Sequence, residues 1–134
     1  MIRFLGIFML LFLSEGHDLK VEVSQLSNRK GKLFVALFNQ ATTFPTYGKQ
    51  WKGELIEITL PKTSYTFKNI SAGAYAIAVF HDENNNGKLD KNVFGAPIED
   101  YGFSNNARET FSAPSFEKAK IQLSQDRCIQ IRLD

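Results

Sequence analysis

The residues best placed to do chemistry are the consecutive His81-Asp82-Glu83-Asn84-Asn85-Asn86-Gly87-Lys88-Leu89-Asp90. Counted from Asp82, this run puts Asp, Asn and Asn at alternate positions, then Gly at the sixth, Leu at the eighth and Asp at the ninth. A chain that wraps a cation with oxygen ligands at about 2.4 Å turns every second side chain inward. It also needs a glycine where it reverses sharply. The spacing therefore predicts an EF-hand-type calcium loop, with Asp82, Asn84 and Asn86 as side-chain ligands, the Lys88 carbonyl as a fourth and Asp90 acting directly or through water. Leu89 would anchor the loop to the core. The twelfth position, where such a loop places a bidentate glutamate, is Val93. Another carboxylate must then complete the shell; Glu83, Glu99 and Asp100 are near enough in sequence, and Glu99 is the first choice. Two or three carboxylates predict a weak site, in the ~10⁻⁴ to 10⁻³ M range of extracellular modules. Magnesium, with its stricter octahedron and retained waters, fits less well. The alternative is an Asn- and Gly-rich turn that holds no ion, because these are also the default turn residues.

Other chemistries have less behind them. If a leader is cut after Gly16, His17 becomes the amino terminus, and His17 with His81 would be the ligand pair of a copper histidine brace. That is the enzymatic alternative; the commonplace reading of His81 is a strand-end histidine bonded to a loop carbonyl. No Gly-x-Ser-x-Gly elbow occurs, and the single Cys128 has no evident histidine partner. Two histidines and one cysteine also exclude a Cys/His structural zinc site. Trp51 and Tyr101, with the amides of Asn105 and Asn106, are candidates for a surface that meets a carbohydrate or an envelope protein. Phe103 reads instead as packing within its own loop. Sixteen basic and fourteen acidic residues leave a net charge of +2, too balanced for a nucleic-acid binder.

The elements that must position these residues follow from the rest of the 134-residue chain. Met1-Ile2-Arg3, the apolar run from Phe4 to Leu13 and Ser14-Glu15-Gly16 have the charged, apolar, small-residue layout of a secretory signal. Ten residues of helix reach about 15 Å, half a bilayer core, so no membrane anchor should remain after cleavage. The expected mature domain is 17–134, periplasmic or secreted. Its lone cysteine allows no internal disulfide.

Within that domain, Leu19, Val21 and Val23 alternate with polar residues, as a half-covered strand requires. Leu33 to Phe38 is apolar throughout, as in a strand buried on both faces. Ile56, Ile58 and Leu60 alternate up to Pro61, and Tyr65 with Phe67 mark another strand. Gly73 to Phe80 carries Tyr75, Ile77 and Val79 on one face and alanines on the other. Its Tyr75 is either a tyrosine corner, with the hydroxyl bonded back to the preceding chain, or an ordinary core residue. Ile121 with Leu123, and Ile129, Ile131 and Leu133, complete about seven strands. Together these predict an all-β protein, an antiparallel β-sandwich of immunoglobulin or transthyretin type. Two long loops interrupt it, 39–53 and 82–114.

The strand Gly73–Phe80, the loop His81–Asp90 and the run Gly95-Ala96-Pro97-Ile98-Glu99-Asp100-Tyr101-Gly102-Phe103-Ser104-Asn105-Asn106 together resemble the bacterial exported proteins grouped as domain of unknown function 2141 (DUF2141). The distinctive part is the His-Asp-x-Asn-x-Asn-Gly loop followed by Tyr-Gly-Phe-Ser-Asn. The resemblance implies a small exported β-sandwich akin in shape to transthyretin-like and carboxypeptidase regulatory-like modules. It implies no activity, so the expected function is a non-catalytic accessory or binding module of the bacterial envelope, stabilised by calcium.

Overall fold

The computed structural model describes residues 16–86 and 99–133. The leader expected at 1–16 therefore lies outside it except for Gly16, as do Gly87, Lys88, Leu89, Asp90 and Val93. Eight strands build two sheets. They are β1 (His17–Ser24), β2 (Lys32–Phe38), β3 (Lys52–Ile56), β4 (Lys62–Ile70), β5 (Gly73–Asp82), β6 (Tyr101–Phe103), β7 (Ile121–Leu123) and β8 (Arg127–Arg132). One four-residue helix, α1 (Phe116–Ala119), precedes β7, capped by the Ser115 side chain, which accepts from the Lys118 N–H. Among the described residues no helix is long and apolar enough to cross a membrane.

The smaller sheet has the order β4-β1-β8 and the larger one β3-β2-β5-β6, with β7 also on β5. All pairings are antiparallel except β1 with β8, which is parallel and sets Leu19 opposite Arg127. The expected sandwich is thus antiparallel-rich rather than wholly antiparallel. Its first strand lies in the middle of the smaller sheet, between the fourth and the last.

Period-two alternation decides what each face buries. Leu19, Val21, Val23, Leu33, Val35, Leu37, Ile77, Val79, Ile129 and Ile131 point inward and form the core between the sheets. The other face of the larger sheet is also buried: Phe34, Ala36, Phe38, Ala76 and Phe80 pack with Phe44, Phe103 and Ala119. This second layer explains why β2 is apolar at every position. The loop after β2 folds back to cover it. The Phe44 ring meets Phe38 edge-on at 5.3 Å, and Tyr47 lies 5.3 Å from Phe34 and 5.9 Å from Phe80. Alternation also places Cys128 on the outer side of β8, next to the inward Ile129, so the thiol is exposed.

Two expectations shift. The strand read at Ile56, Ile58 and Leu60 lies earlier, at Lys52–Ile56, and its first two residues fall in the expected loop 39–53. As an edge strand exposed at four of five positions it carries no apolar alternation. Tyr75, by contrast, does close a corner: its hydroxyl donates to the Ser71 carbonyl at 2.6 Å. Burial raises its pKa above the usual 10.0.

A candidate metal centre at the end of β5

Strand β5 continues two residues past its apolar run, and these two residues point in opposite directions. His81 follows Tyr75, Ile77 and Val79 on the inner face, while Asp82 follows Ala76 and Phe80 on the outer one. Both are fully buried. Pairing with β2 sets His81 opposite Leu33 and Asp82 opposite Lys32. The turn between β1 and β2 presses closely on this end. Gly31 has φ +65°, and a Cβ there would run into the Asp82 carbonyl oxygen, so only glycine lets the turn approach.

On the outer side, the oxygens predicted from spacing begin to converge. The Asn86 N–H donates to Asp82 Oδ1 at 3.1 Å and to Asn84 Oδ1 at 3.3 Å, which brings the first two predicted ligands around one point. Glu99 returns from the far side of the loop, and its Oε2 accepts from the Glu83 N–H at 2.9 Å. The structure thus brings Asp82 and Asn84 to the backbone N–H of Asn86, and Glu99 to that of the neighbouring Glu83. Lys88 and Asp90 lie outside the described residues. Asp82, Asn84 and Glu99 present oxygens there, the donor type that calcium takes.

On the inner side, a different group forms around His81. Its Nε2 lies 2.6 Å from the Lys30 carbonyl oxygen, as the commonplace reading of a strand-end histidine requires. Its Nδ1 lies 3.8 Å from Glu83 Oε1. Ligand atoms of His81, Glu83 and Asp100 fall within 4.8 Å of one another. Ser27 Oγ donates to Asp100 Oδ2 at 2.6 Å, and Asn28 Nδ2 donates to Glu83 Oε1 at 3.3 Å. Spacing alone offers Glu83 and Asp100 only as candidates to complete the calcium shell. Their grouping with His81 depends on the β1–β2 turn, 55 to 73 residues away in the chain, which no local spacing reveals.

The histidine pair does not assemble. His17 opens β1 opposite Ile70, whereas Ser24 closes β1 near the turn that carries Ser27. His81 therefore sits at one end of the sandwich and His17 at the other, separated by seven strand rises of about 3.3 Å. His17 Nδ1 lies instead 4.0 Å from Asp126. The copper brace is overturned by topology.

The expected partner surface is also dispersed. Trp51 lies beside the edge strand β3, 45% exposed, with its ring stacked on Tyr75 at 5.9 Å and Lys52 Nζ 5.0 Å from it. Tyr101 is on the opposite edge, where its ring packs on Phe103 and takes the Arg108 guanidinium. Asn105 and Asn106 hold left-handed φ values of 59° and 48°, which asparagine tolerates. Asn105 Nδ2 donates to the Lys118 and Lys120 carbonyls, and Asn106 Oδ1 accepts the Arg132 N–H. Both amides tie chain segments together instead of facing a partner. Next to them, the buried Ser104 hydroxyl accepts the Ile77 N–H at 2.9 Å and donates to the Ala119 carbonyl. It fills the gap on the edge of β5 between the rungs taken by β6 and those taken by β7.

A family model described as an uncharacterized protein conserved in bacteria matches residues 21–130. No curated protein and no solved structure matches the chain.

Proposed function

Because the chain belongs to the DUF2141 family of bacteria, we propose that it is an exported, non-catalytic β-sandwich module that uses calcium to order the loop leaving β5. The observation that carries this reading is the buried Asp82 carboxylate, whose Oδ1 meets Asn84 Oδ1 at the Asn86 N–H while Glu99 is tethered one residue away. Asp82, Asn84, Asn86, Glu99, the Lys88 carbonyl and Asp90 would hold the ion. Calcium would supply positive charge to a cluster of carboxylates and would cross-link the two ends of a long excursion. The chain's own part is to supply the anchor. Asp82 is fixed by its ladder with β2, and Glu99 is fixed by the Glu83 N–H.

In this reading the leader at 1–16 directs the module to the periplasm or the exterior, where millimolar calcium suits a weak loop. The partner, a carbohydrate or an envelope protein, meets the exposed Trp51. That side chain lines an open cleft with Lys52, Gly53, Glu54, Tyr65 and Phe67, where the edges of the two sheets face each other. An aromatic face flanked by a cation and a carboxylate suits stacking with hydrogen bonding.

The decisive measurement is a pair of thermal melts, in calcium and in EDTA. A filled loop raises the midpoint by several degrees in calcium, since a ligand at a hundred times its Kd adds about 2.7 kcal/mol. Asp82→Asn should abolish the difference. Equal midpoints for the unaltered protein at 10 mM calcium and in EDTA would refute the calcium reading.

A further inference from the structure

We propose that His81, Glu83 and Asp100 form a second cation site, selective for a divalent transition ion of the zinc class and independent of the oxygen loop that begins at Asp82. It lies on the inner side of β5, whereas the calcium ligands lie on the outer side.

The argument starts from the imidazole. The Lys30 carbonyl can only accept a hydrogen bond, so the nitrogen 2.6 Å from it, Nε2, carries the proton. In the neutral ring, Nδ1 is then the lone-pair nitrogen. That atom is buried without a hydrogen-bond partner, the one such side-chain atom among the described residues. Buried polar atoms are almost always satisfied, so an orphan on a fully buried ring asks for an explanation. Nδ1 is directed at Glu83 Oε1, at 3.8 Å, too far for a hydrogen bond, and the Asp100 carboxylate closes the group within 4.8 Å.

What converges there is one lone pair and two carboxylate oxygens. A cation satisfies all three at once. The nitrogen donor separates this site from a calcium or magnesium site, whose ligands are oxygens, and mixed imidazole and carboxylate donors suit zinc and its neighbours. The surroundings have the form such sites take. A ligating histidine ordinarily donates its other N–H to a carbonyl or carboxylate, as His81 does to Lys30, and ligating carboxylates are themselves hydrogen-bonded, as these are by Ser27 and Asn28. Zinc bonds of about 2.0–2.2 Å require the three ligands to draw together slightly. Glu83 is exposed and free to make that adjustment, while His81 is held by its rung with Leu33.

The test uses the protein saturated with calcium and titrated with Zn²⁺ against a chromogenic chelator, with ring ¹⁵N spectra of His81 recorded in parallel. The expected result is one zinc equivalent, with ligation seen at His81 Nδ1. Glu83→Gln and Asp100→Asn should each weaken binding by about tenfold or more. Because His81 is buried and its replacement endangers folding, the exposed Glu83→Gln carries the decision. His17→Ala should leave zinc binding unchanged, and so should Asp82→Asn, which removes the calcium effect on the melt. Absence of any calcium effect in the unaltered protein, with zinc binding intact, speaks only against the oxygen loop. No zinc uptake, uptake unaltered in both carboxylate variants, or an unshifted His81 ring would overturn the second site.

Discussion

The segments His81–Asn86 and Tyr101–Asn106 belong to one sequence motif, the first continuing β5 and the second pairing beside it, yet they use their polar groups in opposite ways. In the later segment every singled-out side chain is committed inside the fold. Phe103 is buried, Ser104 bridges β5 and α1, Asn105 ties two carbonyls near α1, and Asn106 holds β8. In the earlier segment carboxylates and amides gather around two points, and the buried His81 Nδ1 has no partner. The contrast teaches that a motif can be distinctive for two reasons at once. One half is there to hold the sandwich together, and the other half holds a buried nitrogen, His81 Nδ1, without a hydrogen-bond partner.

Substitutions can break or sharpen that contrast. The largest effect is expected from Phe103→Ala, which empties a ring-packed site and should cost about 3–5 kcal/mol in urea unfolding, equally with and without calcium. A calcium-dependent cost would show that the two segments are not separable. Asp82→Ala should behave in the opposite manner. Its loss of about 2–3 kcal/mol should appear when melts are compared in saturating calcium and should largely vanish in EDTA. Ser104→Ala leaves the buried Ile77 N–H without its acceptor and should cost about 1–3 kcal/mol, independent of any ion.

The far end of β5 offers a smaller, pH-coded control. Tyr75→Phe should cost about 1 kcal/mol by removing the bond to Ser71. Burial raises the folded pKa of Tyr75 above 10.0, so its contribution is complete below pH 10 and is lost as pH climbs through the raised value. The variant should therefore flatten the alkaline fall in stability, while Tyr65, raised by burial and then by Glu54, retains its share. The smallest effect is expected from Trp51→Ala, under about 1 kcal/mol in unfolding for an exposed ring. It should nevertheless reduce retention on a glycan or peptidoglycan column if the cleft is the partner face.

Much of this was legible in the order of residues. Alternation at Leu19, Val21 and Val23, the unbroken run of β2 and the two-faced β5 located the core, because side-chain direction in a strand follows sequence parity. β3 was not legible, since an exposed edge has no apolar face to announce it. The proposed oxygen ligands come from alternation of another kind, since a wrapping loop draws its donors from alternate positions. The grouping of His81 with Glu83 and Asp100 was hidden for the complementary reason: Ser27, Asn28 and Lys30 reach it through sheet pairing. Asn105 and Asn106 looked available because amides are common at binding faces. Left-handed backbone at both positions instead commits them to closing the chain on itself.

The parallel pairing of β1 with β8 sets the order in which this molecule can be finished. β1 can pair with β4 early, but its other flank stays open until residues 127–132 arrive, more than a hundred positions later. Contacts of such separation slow folding, and an unfilled strand edge invites wrong partners in the interval. A chain interrupted anywhere before Arg127 would keep that seam open, so residues 127–132 act as a latch that closes the smaller sheet.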